Sequence, residues 1–334
     1  MKHTVRFISF VVIAAVGVMF VLNMFVGSAQ QSESPTAQST QEAIPSPCTA
    51  PAANAVATVG MIADIVSVVG GECVSVTALM GPGVDPHLYT ATERDVETLF
   101  NADIIFYGGL NLEARMVDIF EQISTGLGKP TIPVSENVPA ENILTEVVYN
   151  AADPHVWMNP LLWAYAVEAV RDGLTELMPQ YADYFTATTD AYLIELHALD
   201  EYIRQQLARV PEEQRVLVTA HDAFQYYSHA YDIEVHAPQG ITTESEVGVQ
   251  NIRDTIALLV ERQIPAIFVE TSVSPDVVEA IVEGVRDQGH EIVIGGSLFS
   301  DAMGDAGTPE GTYIGMIRHN TDVIVAGLLG EAGS

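Results

Sequence analysis

Cysteine is nearly absent: this 334-residue chain has Cys48 and Cys73 and no other. Two thiols exclude a thiolate metal cluster and a disulfide-rich scaffold, and leave room for one internal bridge at most. An exported chain could form it. Cys48 precedes the first expected strand and Cys73 immediately precedes the second, and parallel neighbours would start close together; the sequence leaves the bridge open. Basic residues are also scarce, 13 against 44 acidic ones, for a formal charge of −31. Such a field repels phosphate, which argues against nucleic acid as a partner. It raises the local concentration of cations, and it equally serves general solubility outside a cell. Charged residues amount to 17% and hydrophobic ones to 48%, which excludes a disordered chain and describes a globular protein with a large core. Short-period repeats are missing, and so is any His-Glu-x-x-His pattern.

One long apolar run is present, over residues 7–26, after Lys2 and Arg6 and before Gly27-Ser28-Ala29. Basic start, apolar middle and small-residue end make an export signal, yet the run is nearly long enough to cross a bilayer. Residues 1–29 are therefore read as a signal peptide or as an uncleaved membrane anchor. Cys48 has no lipobox before it, so it is not assigned a lipid. Residues 30–54, rich in Gln, Ser, Thr, Pro and Ala, read as a flexible linker. Roughly 280 residues remain, a comfortable length for two domains.

From Ala55 onward the pattern alternates between strand and helix, which predicts an α/β fold with mainly parallel sheets. Strands are expected over 56–62 and 74–79, both buried, then over 104–107 and 131–134. A helix is expected over 93–101 with Val96, Leu99 and Phe100 on one face. Asn159-Pro160 has the form of an N-cap with proline at the first helical position. Apolar residues at helical spacing then run from Tyr181 to Leu207, about 40 Å of helix at 1.5 Å per residue. Strands are expected again over 216–219, 233–237, 266–270 and 291–294, and a final helix from Thr308. The expected organisation is a lobe over 55–179, a rigid spine helix over 180–210 and a second lobe over 211–330.

Four loops stand out. Gly81-Pro82-Gly83-Val84-Asp85-Pro86-His87 follows an apolar run, and a second Asp-Pro-His occurs at Asp153-Pro154-His155. Thr219-Ala220-His221-Asp222 and Leu298-Phe299-Ser300-Asp301 each follow a further expected strand. Open α/β sheets bind ligands beyond the carboxyl ends of their strands. His87, His155, His221 and Asp301 are thus expected to close on one divalent ion in the cleft between the lobes, two from each half. Imidazole suits Zn(II), and also Mn(II), Fe(II) and Ni(II). Three imidazoles and a carboxylate complete a shell, whereas a catalytic zinc keeps a position open; a closed shell suits carrying an ion. Glu270, at a strand end, is a candidate acceptor to orient an imidazole, and Asp85 and Asp153 are candidates to bond within their own turns. Trp157, Phe224 and Tyr226 either shield the ion or belong to the core. His236 is a reserve candidate; His197, on the spine, is not.

Together with Gly311-Thr-Tyr-Ile-Gly-Met-Ile-Arg-His-Asn320, these motifs resemble the signature segments of the zinc/manganese solute-binding proteins of ABC importers. The resemblance covers about Ala55 to Leu329. It implies two α/β lobes on one spine helix, with Zn(II) or Mn(II) bound at His87, His155, His221 and Asp301 as transported ligand, and no organic cofactor. It further implies a monomer outside the cytoplasm that hands the ion to a membrane permease with a cytoplasmic ATPase, and no enzymatic activity. Relatives tuned to manganese often carry Glu where His221 stands, and zinc-specific ones often carry a His-rich loop. None is present between Ile132 and Ala152, so the ion stays open. Two competing functions are a metallohydrolase, for which Asp222 or Glu270 would have to be the base, and an adhesin, the label some relatives carry.

Overall fold

A computed structural model describes residues 44–146 and 150–331. The export segment and its anchor alternative at 7–26 lie outside the described residues, among which no helix is long and apolar enough to cross a membrane. The chain passes through β1 (Ala53–Ala57), α1 (Gly60–Gly70), β2 (Val74–Ala78), α2 (Glu93–Asn101), β3 (Ile104–Tyr107), a short α3 (Val117–Glu121) and β4 (Thr131–Pro133). The four strands form one parallel sheet in the order β2-β1-β3-β4. Ile104, Ile105 and Phe106 of β3 are fully buried, as befits an inner parallel strand with helices on both faces. Thr92 and Asp95 form a reciprocal capping box at the start of α2, which satisfies two of its free N–H groups.

Three expectations for this lobe need correction. The apolar segment 56–62 is strand only to Ala57; Met61, Ile62, Ile65, Val66 and Val69 are the buried stripe of α1. A short apolar run does not separate strand from buried helix by periodicity alone. β2 is not buried throughout: it is the edge of the sheet, with Ser75, Thr77 and Ala78 exposed. Phe100, expected to share one apolar face of α2 with Val96 and Leu99, is 46% exposed. Order also begins before the expected end of the linker. Cys48 and Cys73 form a disulfide with Cα atoms 5.2 Å apart across a separation of 25 residues, and β1 starts at Ala53. Loop closure of that size is worth about 3–4 kcal/mol in the chain-entropy account.

A small hairpin, β5 (Thr145–Glu146) with β6 (Ala151–Ala152), precedes α4 (Pro160–Leu177). Asn159 caps α4 by accepting from Leu161 N at 2.9 Å. The spine is α5 (Ala182–Leu207), 26 residues, or about 39 Å. The second lobe follows as β7 (Val216–Val218), α6 (Gln225–Tyr231), β8 (Glu234–His236), α7 (Val249–Glu261), β9 (Ala266–Glu270), α8 (Asp276–Asp287), β10 (Val293–Leu298) and α9 (Tyr313–Leu328). β7 pairs in parallel with β8, and β9 with β10. The final helix starts later than expected: Pro309–Gly311 is a 3-10 turn, and Thr312 caps α9.

Strand alternation sorts the second lobe into two apolar layers. Val216, Val218 and Ile267 pack with Leu259 of α7 and Ile281 of α8. Leu217 and Phe268 face the other way, into a larger core that holds Ile324 of α9, Leu199 and Ile203 of the spine, and Ile65 and Phe106 of the first lobe. The spine is therefore embedded in an apolar core shared by both lobes.

Candidate metal centre

The first-lobe loops use one local device twice. After β2, Leu79 and Met80 keep pairing with Ala57 and Thr58, and the chain then turns at Gly81-Pro82-Gly83-Val84. Val84 N donates to Gly81 O at 3.3 Å, and Gly83 has φ of 72°. Pro at the second position and a positive φ at the third define a type II turn, which glycine tolerates best. Asp85 Oδ1 then accepts from His87 N at 2.8 Å, and Asp153 Oδ1 accepts from His155 N at 2.9 Å. Each Asp-Pro-His thus closes an Asx turn that presents its imidazole.

The second-lobe groups are held from a distance. Glu270, at the end of β9, accepts from Ala220 N and His221 N through Oε1, 2.8 Å each, and takes His221 Nδ1 through Oε2. Asp301 follows β10 in a loop clamped on both sides. Asn320 of α9 accepts from Phe299 N at 2.9 Å and donates to Phe299 O at 2.7 Å. Trp157 Nε1 donates to Ser300 O at 2.8 Å.

These loops bring His87, His155, His221 and Asp301 together, one donor atom from each lying within 4.8 Å of the others. His155 Nε2 is 3.3 Å from Asp301 Oδ1; His221 Nε2 is 3.2 Å and His87 Nε2 3.8 Å from Asp301 Oδ2. A tetrahedral ion with bonds of about 2.0–2.1 Å has donor–donor edges of about 3.3–3.4 Å. The His221 edge to Oδ2 fits and the His87 edge to the same oxygen is wider; the His155 distance has that length too but runs to the other oxygen, Oδ1. The three Nε2 atoms and both Asp301 oxygens are buried without a hydrogen-bond partner. Buried polar atoms are rarely left so, and a divalent cation would satisfy all of them at once.

The electrostatics match a cation site. Burial alone would raise Asp301, but His221 and His155 outweigh it and hold its carboxyl well below the usual range. Burial would likewise lower His155, but Asp153 and Asp301 push it up to about 9. His221 is raised in the same way by Glu270 and Asp301. His87 has no carboxylate on Nδ1 among the described residues, and burial takes it down to about 3. Asp153 and Glu270 each accept from an Nδ1–H, at 2.7 Å in the case of His155, so Nε2 is the ring nitrogen that faces the centre, and an incoming cation would displace the proton that these carboxylates favour there.

Glu270 thus bonds His221 through both its main-chain N–H and its ring Nδ1. Glu270→Gln would set an N–H against His221 Nδ1 and favour the Nε2–H tautomer, which cannot bind a metal. Affinity for zinc is expected to fall about 10–100-fold, measured by competition with a chromophoric chelator; an unchanged constant would remove that role. The base candidates of the hydrolase reading are otherwise engaged. Glu270 is engaged by His221, and Asp222 accepts from Gln225 Nε2 at 2.7 Å, outside the four-residue group. His236 bonds Thr255 Oγ1 at 2.9 Å and does not join the centre. Trp157 and Phe224 are buried in the core; Tyr226 is too, with its hydroxyl donating to Asp153 O. The clamp by Asn320 was not anticipated, although the segment that carries it was conspicuous in the sequence.

Comparison with known proteins identifies the family. The family model described as ZnuA, zinc-uptake complex component A, periplasmic, matches residues 55–327. The chain is 48% identical over 273 residues to "Zinc-binding protein TroA" of Treponema pallidum, covering 82% of this chain and 88% of that one. It is 44% identical over 272 residues to "Manganese-binding lipoprotein MntA" of Bacillus subtilis, covering 81% and 88%. Its fold is similar to the solved periplasmic zinc binding protein TroA, with a TM-score of 0.80 and 47% identity over 83% of this chain and 99% of that one.

Proposed function

This chain belongs to the ZnuA family of zinc-uptake complex components, a family of solute-binding receptors rather than enzymes, and from that premise we propose what it carries and how. It is the extracytoplasmic binding component of an ABC importer, and its cargo is one Zn(II) or Mn(II) ion per chain. His87, His155, His221 and Asp301 are the ligands, and Glu270 and Asp153 orient two of the imidazoles. Residues 55–179 and 211–330 are the two jaws, and 180–210 the rigid piece between them. The ion passes to a membrane permease driven by a cytoplasmic ATPase, and residues 7–26 direct export and tether the receptor if they are not cleaved.

The observation that carries this reading is the convergence of five unpartnered buried atoms from four loops on one point. The donor set also orders the two ions. Nitrogen-rich sites bind Zn(II) more tightly than Mn(II), so zinc is expected to displace manganese, although supply decides which ion is carried in a cell. Protein purified without chelator is expected to contain one zinc or manganese per chain by elemental analysis, and added zinc to expel bound manganese. Protein that takes up neither ion would overturn the reading, and manganese resisting excess zinc would overturn the order.

A further inference from the structure

Two links join the lobes on the flanks of His87, and neither belongs to the set of metal donors. Asp85 divides its carboxylate between them: Oδ1 accepts from His87 N, and Oδ2 accepts from Thr243 Oγ1. On the other flank Arg115 Nη1 donates to Leu88 O at 2.9 Å while its Nε donates to Glu244 Oε1 at 3.1 Å. Thr243 and Glu244 are neighbours in the segment between β8 and α7. That segment is also tied to the loop of His221: Gln239 N donates to Ala220 O at 3.4 Å and Asp222 N to Gly240 O at 3.3 Å. The Gln239 amide donates to Thr243 O and Ser245 O, which stiffens the turn. One short segment is thus bonded to a ligand loop of each lobe. A cavity of about 130 Å³ lies against it, lined by His87, Pro154, Ile241, Thr242 and Glu244 among others.

We propose that Asp85–Thr243 and Arg115–Glu244 form a clasp across the cleft that sets how slowly a captured ion leaves. The proposal rests on the receptor reading above. His221 and Asp301 share a lobe, so His87 stays on the ion only while its loop is held against that lobe. Of the three imidazoles, His87 is the one whose Nδ1 no carboxylate holds among the described residues. Its position depends on its main chain, which is where the clasp acts. An ion leaving through the cavity beside His87 requires the clasp to open first, whereas an ion entering an already open cleft does not. The clasp therefore acts on dissociation more than on capture. The Asp85–Thr243 bond is charge-assisted and half-buried, and is the stronger link. Arg115 and Glu244 are 42% and 43% exposed, so salt screens that pair.

The test is stopped-flow loss of zinc from the loaded full chain to excess chelator, with capture measured separately. Thr243→Val removes the hydroxyl at nearly constant shape and is expected to speed zinc loss about tenfold, or about 1.4 kcal/mol, with capture unchanged. Thr243→Ser keeps the hydroxyl and should restore the slow rate. Arg115→Gln should speed loss by a smaller factor and abolish the acceleration that added salt produces in the wild type. Equal melting temperatures of the metal-free proteins exclude a general loss of fold. Zinc loss unchanged in Thr243→Val, or equally fast in Thr243→Ser, overturns the clasp and leaves the receptor reading standing. A wild type that binds no zinc overturns both.

Discussion

Stripped by a chelator and then given Zn(II), the protein is expected to gain about 8–16 °C in melting temperature. Its candidate ligands come from four loops and both lobes, so only the folded chain presents them together. A ligand of the native state alone stabilises by RT ln(1 + [L]/Kd), about 4.1 kcal/mol at a free concentration of 1,000 Kd. In a protein of this size each kcal/mol moves the midpoint by about 2–4 °C. Five buried donor atoms have no hydrogen-bond partner within the protein, and a buried polar atom left unsatisfied costs about 1–3 kcal/mol, a cost that a bound ion relieves. Mg(II) is the control. It prefers oxygen donors and gives up water reluctantly, and should leave the curve in place. Scanning calorimetry decides: a midpoint indifferent to both zinc and manganese would remove the receptor function altogether.

Asp301→Asn should weaken zinc about 10²–10³-fold. Structural zinc sites contribute about 10–16 kcal/mol over four ligands, or about 2.5–4 kcal/mol for each. Asparagine keeps the outline of the side chain but removes the one charge that neutralises the ion among three uncharged imidazoles. The loop itself should stay in place, because its clamps act on neighbouring backbone: Asn320 holds Phe299, and Trp157 holds Ser300. The loss can then be assigned to the donor and not to misfolding. Competition titration giving an affinity within a few-fold of wild type would exclude Asp301 as a ligand while leaving the three imidazoles untested by that result.

The site was legible where its supports are local and obscure where they are not. Both Asp-Pro-His turns are closed by a bond from residue i to i+2, and such turns are written in three letters. Glu270 reaches His221 over 49 residues, yet its place at the end of an evident strand made it a candidate. The clamps on Asp301 come over 21 and 143 residues, and Thr243 meets Asp85 over 158. No periodicity reports pairings of that kind. The same contrast runs through the fold. α2 and β3 have the bounds expected of them because a cap and a short apolar run closed by Gly108-Gly109 decide them nearby. The strand expected over 56–62 overruns the first turn of α1 because Met61 and Ile62 extend an apolar run past the point where the backbone turns. The edge position of β2 is a matter of topology, which its own residues do not encode.

The Cys48–Cys73 bridge has a mechanical consequence. β1 lies second in its sheet, between β2 and β3, and would be the first element loaded if the chain were pulled from its N-terminal side. Because the disulfide joins a point before β1 to the residue that leads into β2, a load arriving at Cys48 divides there. It reaches the sheet through a covalent bond at Cys73 as well as through the hydrogen bonds of β1. Drag on a receptor held by its leading segment would then be borne at the edge of the first lobe, away from the ends of the strands where His87 and its partners meet.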